Sequence, residues 1–262
     1  MKITYLHHSG FLIEAINCTV VIDYWKDTPQ DTLQVFFQRE KEIATKHRKP
    51  IYVLSSHFHA DHYNPEILTW KERYKELKFQ YILSSDIHRR RNITEDKKEI
   101  LFLRRGDTYD DEYIKVQAGG STDAGICFYF EIEGKRLFHA GDLNNWHWQD
   151  ESTAEEAEKA EKAYIRELNY LAKKLLPQNN LSPQEKNDPN SFFFDAIFFP
   201  VDPRIGSNFY KGALQFISQF PTRLFLPMHF WEEDNRLPEF AREVPSECLV
   251  KLWSTQGESI VI

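Results

Sequence analysis

The chain is poor in the features that would tie it to an oxidising compartment or to a bilayer. It has three cysteines in 262 residues, and Cys18, Cys127 and Cys248 lie far apart inside strand-like segments, so small buried packing is the reading and a zinc-thiolate site or disulfide frame is not. No apolar stretch approaches the roughly 20 residues needed to span a bilayer. No basic segment followed by an apolar core precedes the first strand, Lys2 to Leu6, so a cytoplasmic protein that spans no membrane is expected. Positive charge is also scarce: 33 Lys and Arg against 40 Asp and Glu give a net charge of -7. That balance argues against nucleic acid as a partner, because such binding rests on phosphate neutralisation by basic residues. No repeat or long linker divides the chain, and a single domain over residues 1–262 is expected.

Aromatic residues, by contrast, are plentiful at 15% of the chain, enough for a large core and an aromatic-lined pocket. Of ten histidines, three fall within His57-Phe58-His59-Ala60-Asp61-His62, directly after the apolar run Ile51 to Leu54. In an extended segment His57 and His59 share one face, while Asp61 and His62 lie beyond them where the chain turns towards Pro65. One short segment thereby offers ligands to two adjacent metal ions. Imidazole nitrogens and carboxylate oxygens suit zinc first, with manganese and iron as substitutes. The chemistry such a site performs is hydrolysis by activated water.

The spacing His-x-His-x-Asp-His after a buried strand resembles the signature of the metallo-β-lactamase superfamily. Further segments carry the resemblance along the chain. Tyr5 to Glu14 with Val20 to Asp23 is similar to the opening strands of the branch that includes the ascorbate-phosphate lactonase-like proteins. Leu137 to Asp142 resembles the strand end bearing a bridging aspartate, and Leu226 to His229 the segment with the last histidine ligand. The resemblance implies a four-layer αββα sandwich of α+β class; periodicity alone supports α/β or α+β. It further implies one metal position built from His57, His59 and Asp142, and another from Asp61, His62, Asp142 and His229. Asp61 and Asp142 would also move protons. The family usually places one more histidine before the strand that precedes Asp142, but Val116 to Gly125 contains none. A mononuclear site, a dinuclear one with an added water, or replacement by Asp123, His8 or His139 all stay open.

Around this centre the residues admit functional and structural readings. Asp23 ends an apolar strand and by similarity supports the histidine loop. His8 suits a pocket position or a satisfied strand position, and His7 a structural one. Trp146 and His147, after Asp142, are expected beside the pocket, as are Ser121 and Asp123 from the segment lacking histidine. Arg204 either reaches the pocket or forms a turn salt bridge, and His88 with Arg89 to Arg91 reads as a solvated basic turn. The function expected is therefore metal-dependent hydrolysis of a small ester, lactone or amide, with a phosphodiesterase or nuclease, or a metal- or ligand-binding protein without turnover, as alternatives. A flavodiiron-type redox protein would want an acid where His59 stands. Exposed aromatics such as Trp25, Phe36 and Phe37 suit a homo-oligomer interface or a helix packed on a sheet.

Periodicity places strands at Lys2 to Leu6, Phe11 to Glu14, Val20 to Ile22, Ile51 to Leu54, Gln80 to Leu83, Ile114 to Gln117, Ile126 to Ile132 and Arg136 to His139. Phe192 to Phe199, Arg223 to Leu226, Cys248 to Leu252 and Ser259 to Ile262 follow. Helices are expected over Thr32 to His47, Glu66 to Leu77, Thr153 to Leu176, Tyr210 to Phe220 and Leu237 to Arg242. In the acidic segment Glu155 to Lys174, Tyr164, Leu168, Leu171 and Leu175 recur on one face, which predicts a solvated helix with one buried stripe. Gln178 to Ser191 reads as a surface loop.

Overall fold

A computed structural model describes residues 1–43, 49–91, 100–175, 192–231 and 234–262. Two seven-stranded mixed sheets form its centre. The first contains β1 (Lys2–His7), β2 (Gly10–Glu14), β3 (Thr19–Ile22), β4 (Pro50–Ser55), β5 (Lys78–Ser84), β6 (Ile100–Leu103) and, joined antiparallel to β1, β14 (Ser259–Val261). The second runs in the order β13 (Leu249–Val250), β12 (Leu224–Met228), β11 (Ala196–Pro200), β10 (Lys135–His139), β9 (Ile126–Ile132), β8 (Ile114–Gly120), β7 (Thr108–Asp110).

Alternation along the strands decides which layer each face meets, because successive side chains point to opposite sides. On the first sheet Ile3, Tyr5, Phe11, Ile13, Val20, Ile22, Tyr52 and Leu54 join the second sheet in one continuous core. Their neighbours Leu6, Leu12, Val21, Ile51 and Val53 face the other way, onto Leu33, Phe36 and Phe37 of α1 (Thr32–Ile43), Trp70 of α2 (Trp70–Arg73) and Ile87 of α3 (Ser85–Arg91). The far side of the second sheet is covered by α4 (Ala154–Leu175), α5 (Lys211–Gln219) and α6 (Leu237–Glu243), through side chains such as Leu168, Phe216 and Phe240. The arrangement is the expected helix–sheet–sheet–helix sandwich. Among the described residues no helix is long and apolar enough to cross a membrane.

The buried stripe of α4 is Tyr164, Leu168, Leu171 and Leu175, as its period required. Thr153 and Glu156 exchange hydrogen bonds across its first turn in a capping box. Other boundaries differ. The segment expected as one helix over 66–77 begins as a 3-10 turn, Pro65–Thr69, and continues only to Arg73. Asn64 accepts from the Glu66 N–H to start it, and Tyr74 has already left helical geometry at φ -123. Phe36 and Phe37 are buried under the first sheet rather than exposed. The expected loop over 178–191 and the end of the first helix at His47 fall outside the described residues.

Parallel pairing sets the position of the candidate site. β3 with β4 and β10 through β13 run parallel, so their C-terminal ends share a rim. Asp23 follows β3, His57 follows β4, Asp142 follows β10 and His229 follows β12.

Candidate metal centre

The histidine loop is fixed from below by one carboxylate. Asp23 is fully buried and accepts from the Ser56 N–H at 2.7 Å, the Ser56 hydroxyl at 2.6 Å and His62 Nδ1 at 2.7 Å. Because the Ser56 proton is given to Asp23, Ser56 Oγ is left to accept from His57 Nδ1, 3.0 Å away. Both imidazoles are thereby held with the proton on Nδ1 and a bare lone pair on Nε2. The third arrives by the same device from another strand: His229 Nδ1 lies 3.0 Å from Oδ2 of Asp202, which is also fully buried. The loop itself closes as a turn, with the His62 and Tyr63 N–H groups donating to the His59 carbonyl.

Two groups of ligand atoms result, each with all members within 4.8 Å of one another. One contains His8, Asp61, His62 and His229; the other contains His57, His59 and Asp142. Asp142 stands between them, with Oδ2 3.2 Å from His57 Nε2 and Oδ1 3.0 Å from His62 Nε2. His59 turns its Nδ1, rather than Nε2, to within 2.9 Å of His57 Nε2. His8 Nε2 is 3.2 Å from Asp61 Oδ2, and its ring packs 4.3 Å from that of His229.

The electrostatics of these groups call for positive charge. Burial alone would raise the Asp142 carboxyl, but His62, His229 and His57 hold it well below the usual carboxylate range. Asp61 is likewise lowered against burial by His8 and His62. Burial opposes charge on His62, yet Asp142 and Asp23 outweigh it and keep its pKa well above that of a free imidazole. His8 is pushed down to about 4, burial outweighing its contact with Asp61. His62 Nε2, Asp142 Oδ1 and both His8 nitrogens meet no well-aligned hydrogen bond, and charge alone ties His62 to Asp142 and His8 to Asp61. Such orphans are costly unless a cation meets them. A nitrogen-rich set completed by carboxylates fits a borderline divalent ion.

The sequence-level candidates separate clearly. Asp23 does hold the loop, and His8 sits inside a ligand group rather than beside it. His139 cannot replace the missing histidine: its Nε2 lies on the Ser9 carbonyl and its Nδ1 accepts from the Gly141 N–H. Asp123 is 3.8 Å from His59 Nδ1 and half exposed. Ser121 accepts from the Asp123 N–H and shapes that turn. Trp146 lines the cavity over the two groups, its indole N–H donating to the Asp142 carbonyl. His147 does not line it, since its ring nitrogens are engaged by the Asn208 carbonyl and the Gln149 N–H. The basic segment forms the last turn of α3, with Arg90 over the Phe58 ring.

Sequence reasoning missed Ser56, Asp202, Thr122 and Trp231. Asp202 carries a signal that could have found it, for it follows an apolar strand as Asp23 does. Backbone strain marks the same place: His8, Asp23, His229 and Trp231 all have positive φ, at 56°, 46°, 61° and 53°. The cavity has a volume of about 340 Å³ and is walled by Trp146, Trp148, Trp231, Thr122 and Arg204.

Residues 2–160 match a family described as the Beta-lactamase superfamily domain. No curated protein matches the chain. Among solved structures it is similar to Igni18, a metallo hydrolase from Ignicoccus hospitalis, at 17% identity over 99% of this chain and 97% of that one, with TM-score 0.59. It is also similar to the metallo-beta-lactamase fold protein YhfI from Bacillus subtilis, at 12% identity, 99% and 98% coverage and TM-score 0.60. CmlA, a diiron beta-hydroxylase from Streptomyces venezuelae, matches at 10% identity and TM-score 0.61; all of this chain covers 54% of that one.

Proposed function

The chain belongs to the beta-lactamase superfamily, and from that premise we propose that it is a metal-dependent hydrolase opening a small ester, lactone or amide. The observation that carries the reading is the pair His62 Nε2 and Asp142 Oδ1, buried 3.0 Å apart, neither with a well-aligned hydrogen bond. Two lone pairs held that close by fixed neighbours need a cation between them, a proton or a metal ion, and the seven donors that converge there favour the metal.

On this reading His8, Asp61, His62 and His229 would hold one ion, and His57, His59 and Asp142 would hold a second more weakly. The first set has four ligands, three of them imidazole, which suits zinc, while manganese and iron fit the same donors. Ions held there supply Lewis acidity and water activation at neutral pH. The protein residues do the rest. Asp23 and Asp202 keep the imidazoles in one tautomer, and Thr122 fixes the loop after Asp142 by bonding Asn144 through both its N–H and its carbonyl. Asp61 is partly open to the cavity, so its carboxylate can take a proton and return it to the leaving group. The 340 Å³ cavity is of the size that suits a small molecule. The shortage of ligands at the second position favours carbonyl substrates over stable phosphodiesters, where two metals usually share the charge.

The test combines metal content with turnover. Purified protein should take up at least one zinc per chain and hydrolyse some member of an ester, lactone and amide panel in preference to a phosphodiester. His229→Ala should lose the tightly held ion and the activity while remaining folded. Turnover that survives exhaustive chelation, or metal content unchanged in His229→Ala, would overturn the assignment. Stoichiometric metal without any turnover would instead support a binding protein.

A further inference from the structure

Arg204 is the one cation among the described residues lining the cavity; the other charged groups there are Asp61, Asp123 and Asp142. It follows β11 in a 3-10 turn, Pro203–Ile205, started by Asp202, which accepts from the Arg204 N–H. The guanidinium is aimed rather than free: Nε lies 2.9 Å and 3.1 Å from the two Asp202 oxygens, and Nη2 lies 2.5 Å from Oδ2. It also rests 4.6 Å from the centre of the Trp231 ring. Yet 43% of its side chain remains exposed, while Asp202 is fully buried. Nη1 makes no bond to any described residue, so one edge of the fork is still available.

A salt bridge serving only to hold Asp202 would not need this placement. Asp202 already receives His229 Nδ1 and the Arg204 backbone N–H. A guanidinium stacked on an indole at the mouth of a cavity, with an open N–H edge, suits recognition of a planar anion. One stretch of the remaining wall is apolar and flat: Trp146 and Trp148 lie nearly parallel, 16° apart, with centroids at 6.2 Å. Aromatic walls favour a flat, electron-rich body over a flexible chain.

We infer that the cavity selects a small aromatic or otherwise planar carboxylate, its carboxylate on the open edge of Arg204 and its ring against the indoles of Trp148 and Trp231. This rests on the hydrolase reading for what is done to the substrate but not for how it is held. Arg204 is then a specificity residue, and the acidic surroundings that would repel an anion are offset at one point only.

Benzoate and benzamide, of nearly equal shape and different charge, are the probes, titrated calorimetrically into zinc-loaded and into chelator-treated full-length protein. Benzoate should bind at least tenfold tighter than benzamide, a difference typical of one charge-assisted contact. Arg204→Gln can still donate to Asp202, and it should erase most of that preference with metal content unchanged; Arg204→Lys should keep part of it. Trp148→Leu should weaken both probes together. The inference is overturned if neither probe binds below about 10 mM, if benzoate has no preference, or if the preference survives Arg204→Gln. Failure to load zinc would sink the hydrolase reading alone, because the preference for charge is read in the metal-free protein as well.

Discussion

Asp23→Asn separates tautomer control from simple packing. The new amide has nearly the volume of the carboxylate, and its oxygen can still accept from the Ser56 N–H, now at 2.7 Å. Its NH₂ must then face Ser56 Oγ and His62 Nδ1, which sit 2.6 Å and 2.7 Å from Oδ2. Ser56 can adapt by accepting, but His62 can accept at Nδ1 only by moving its proton to Nε2. That proton would occupy the lone pair turned towards Asp142. With the Ser56 hydroxyl turned to donate to His57 Nδ1, whose proton then also moves to Nε2, every buried group stays satisfied, so the fold should lose only about 1–2 kcal/mol, the difference between charge-assisted and neutral hydrogen bonds. Zinc affinity should fall about 10–100-fold, as is usual when the group orienting a ligating imidazole is changed. Asp23→Ala instead leaves an amide, a hydroxyl and an imidazole buried without partners. At about 1–3 kcal/mol each, partly relieved by entering water, the loss should be roughly 3–6 kcal/mol. That is a large part of an ordinary domain's 5–15 kcal/mol or so. Urea unfolding in chelator measures the first quantity, and competition against a chromophoric chelator the second. If Asp23→Asn binds zinc as tightly as the native protein, His62 is not held through Nδ1–H and the argument for the ligand geometry fails.

Gly125→Ala should cost at least about 3 kcal/mol, because φ is +68° and a Cβ there would lie 2.0 Å from the Ser56 carbonyl oxygen and 2.4 Å from His57 Cβ; a thermal melt close to wild type would show that this loop yields. All three cysteines are buried, with burial pushing the Cys18 and Cys248 thiols up to about 12, so a disulfide-exchange reagent at pH 8 should find no reactive thiol in the native protein and three in denaturant; fast labelling of the native protein would contradict that burial. His147→Gln should leave metal content unchanged and stability within about 1 kcal/mol, since the ring serves two backbone groups away from the cavity; loss of metal by mass spectrometry would return His147 to the site.

What the chain discloses on paper is what local chemistry decides. The alternation of Ile3, Tyr5, Phe11 and Ile13 against Leu6 and Leu12 is visible as a period of two, and it fixes both faces of the first sheet. Edge strands are harder. β7 is Thr108–Asp110, whose side chains are exposed or half-buried, and β13 has only two residues. Their pairing is decided by the neighbour strand, not by their own composition. At the site, His57, His59, Asp61 and His62 declare themselves by proximity in sequence. Asp202 and Trp231 do not, because their roles exist only once β11 and β12 lie parallel and bring the two loops together. His8 and His139 look alike as single imidazoles near strand ends. Only the backbone groups around each ring distinguish them, two bonds engaging one and none the other.

The shared direction of β3, β4, β10, β11 and β12 has an engineering corollary. Most side chains named in the chemistry emerge where those strands end, with His8 joining them from the turn after β1 and Thr122 from the end of β8, which leaves the hairpins and crossovers where the strands begin uncommitted. The tight turn Glu133–Gly134 ahead of β10 is such a place, and a Cβ built on Gly134 meets nothing within 4 Å. A reporter peptide or a second module grafted there would ride on the molecule's blank end, far from the tryptophan-walled mouth.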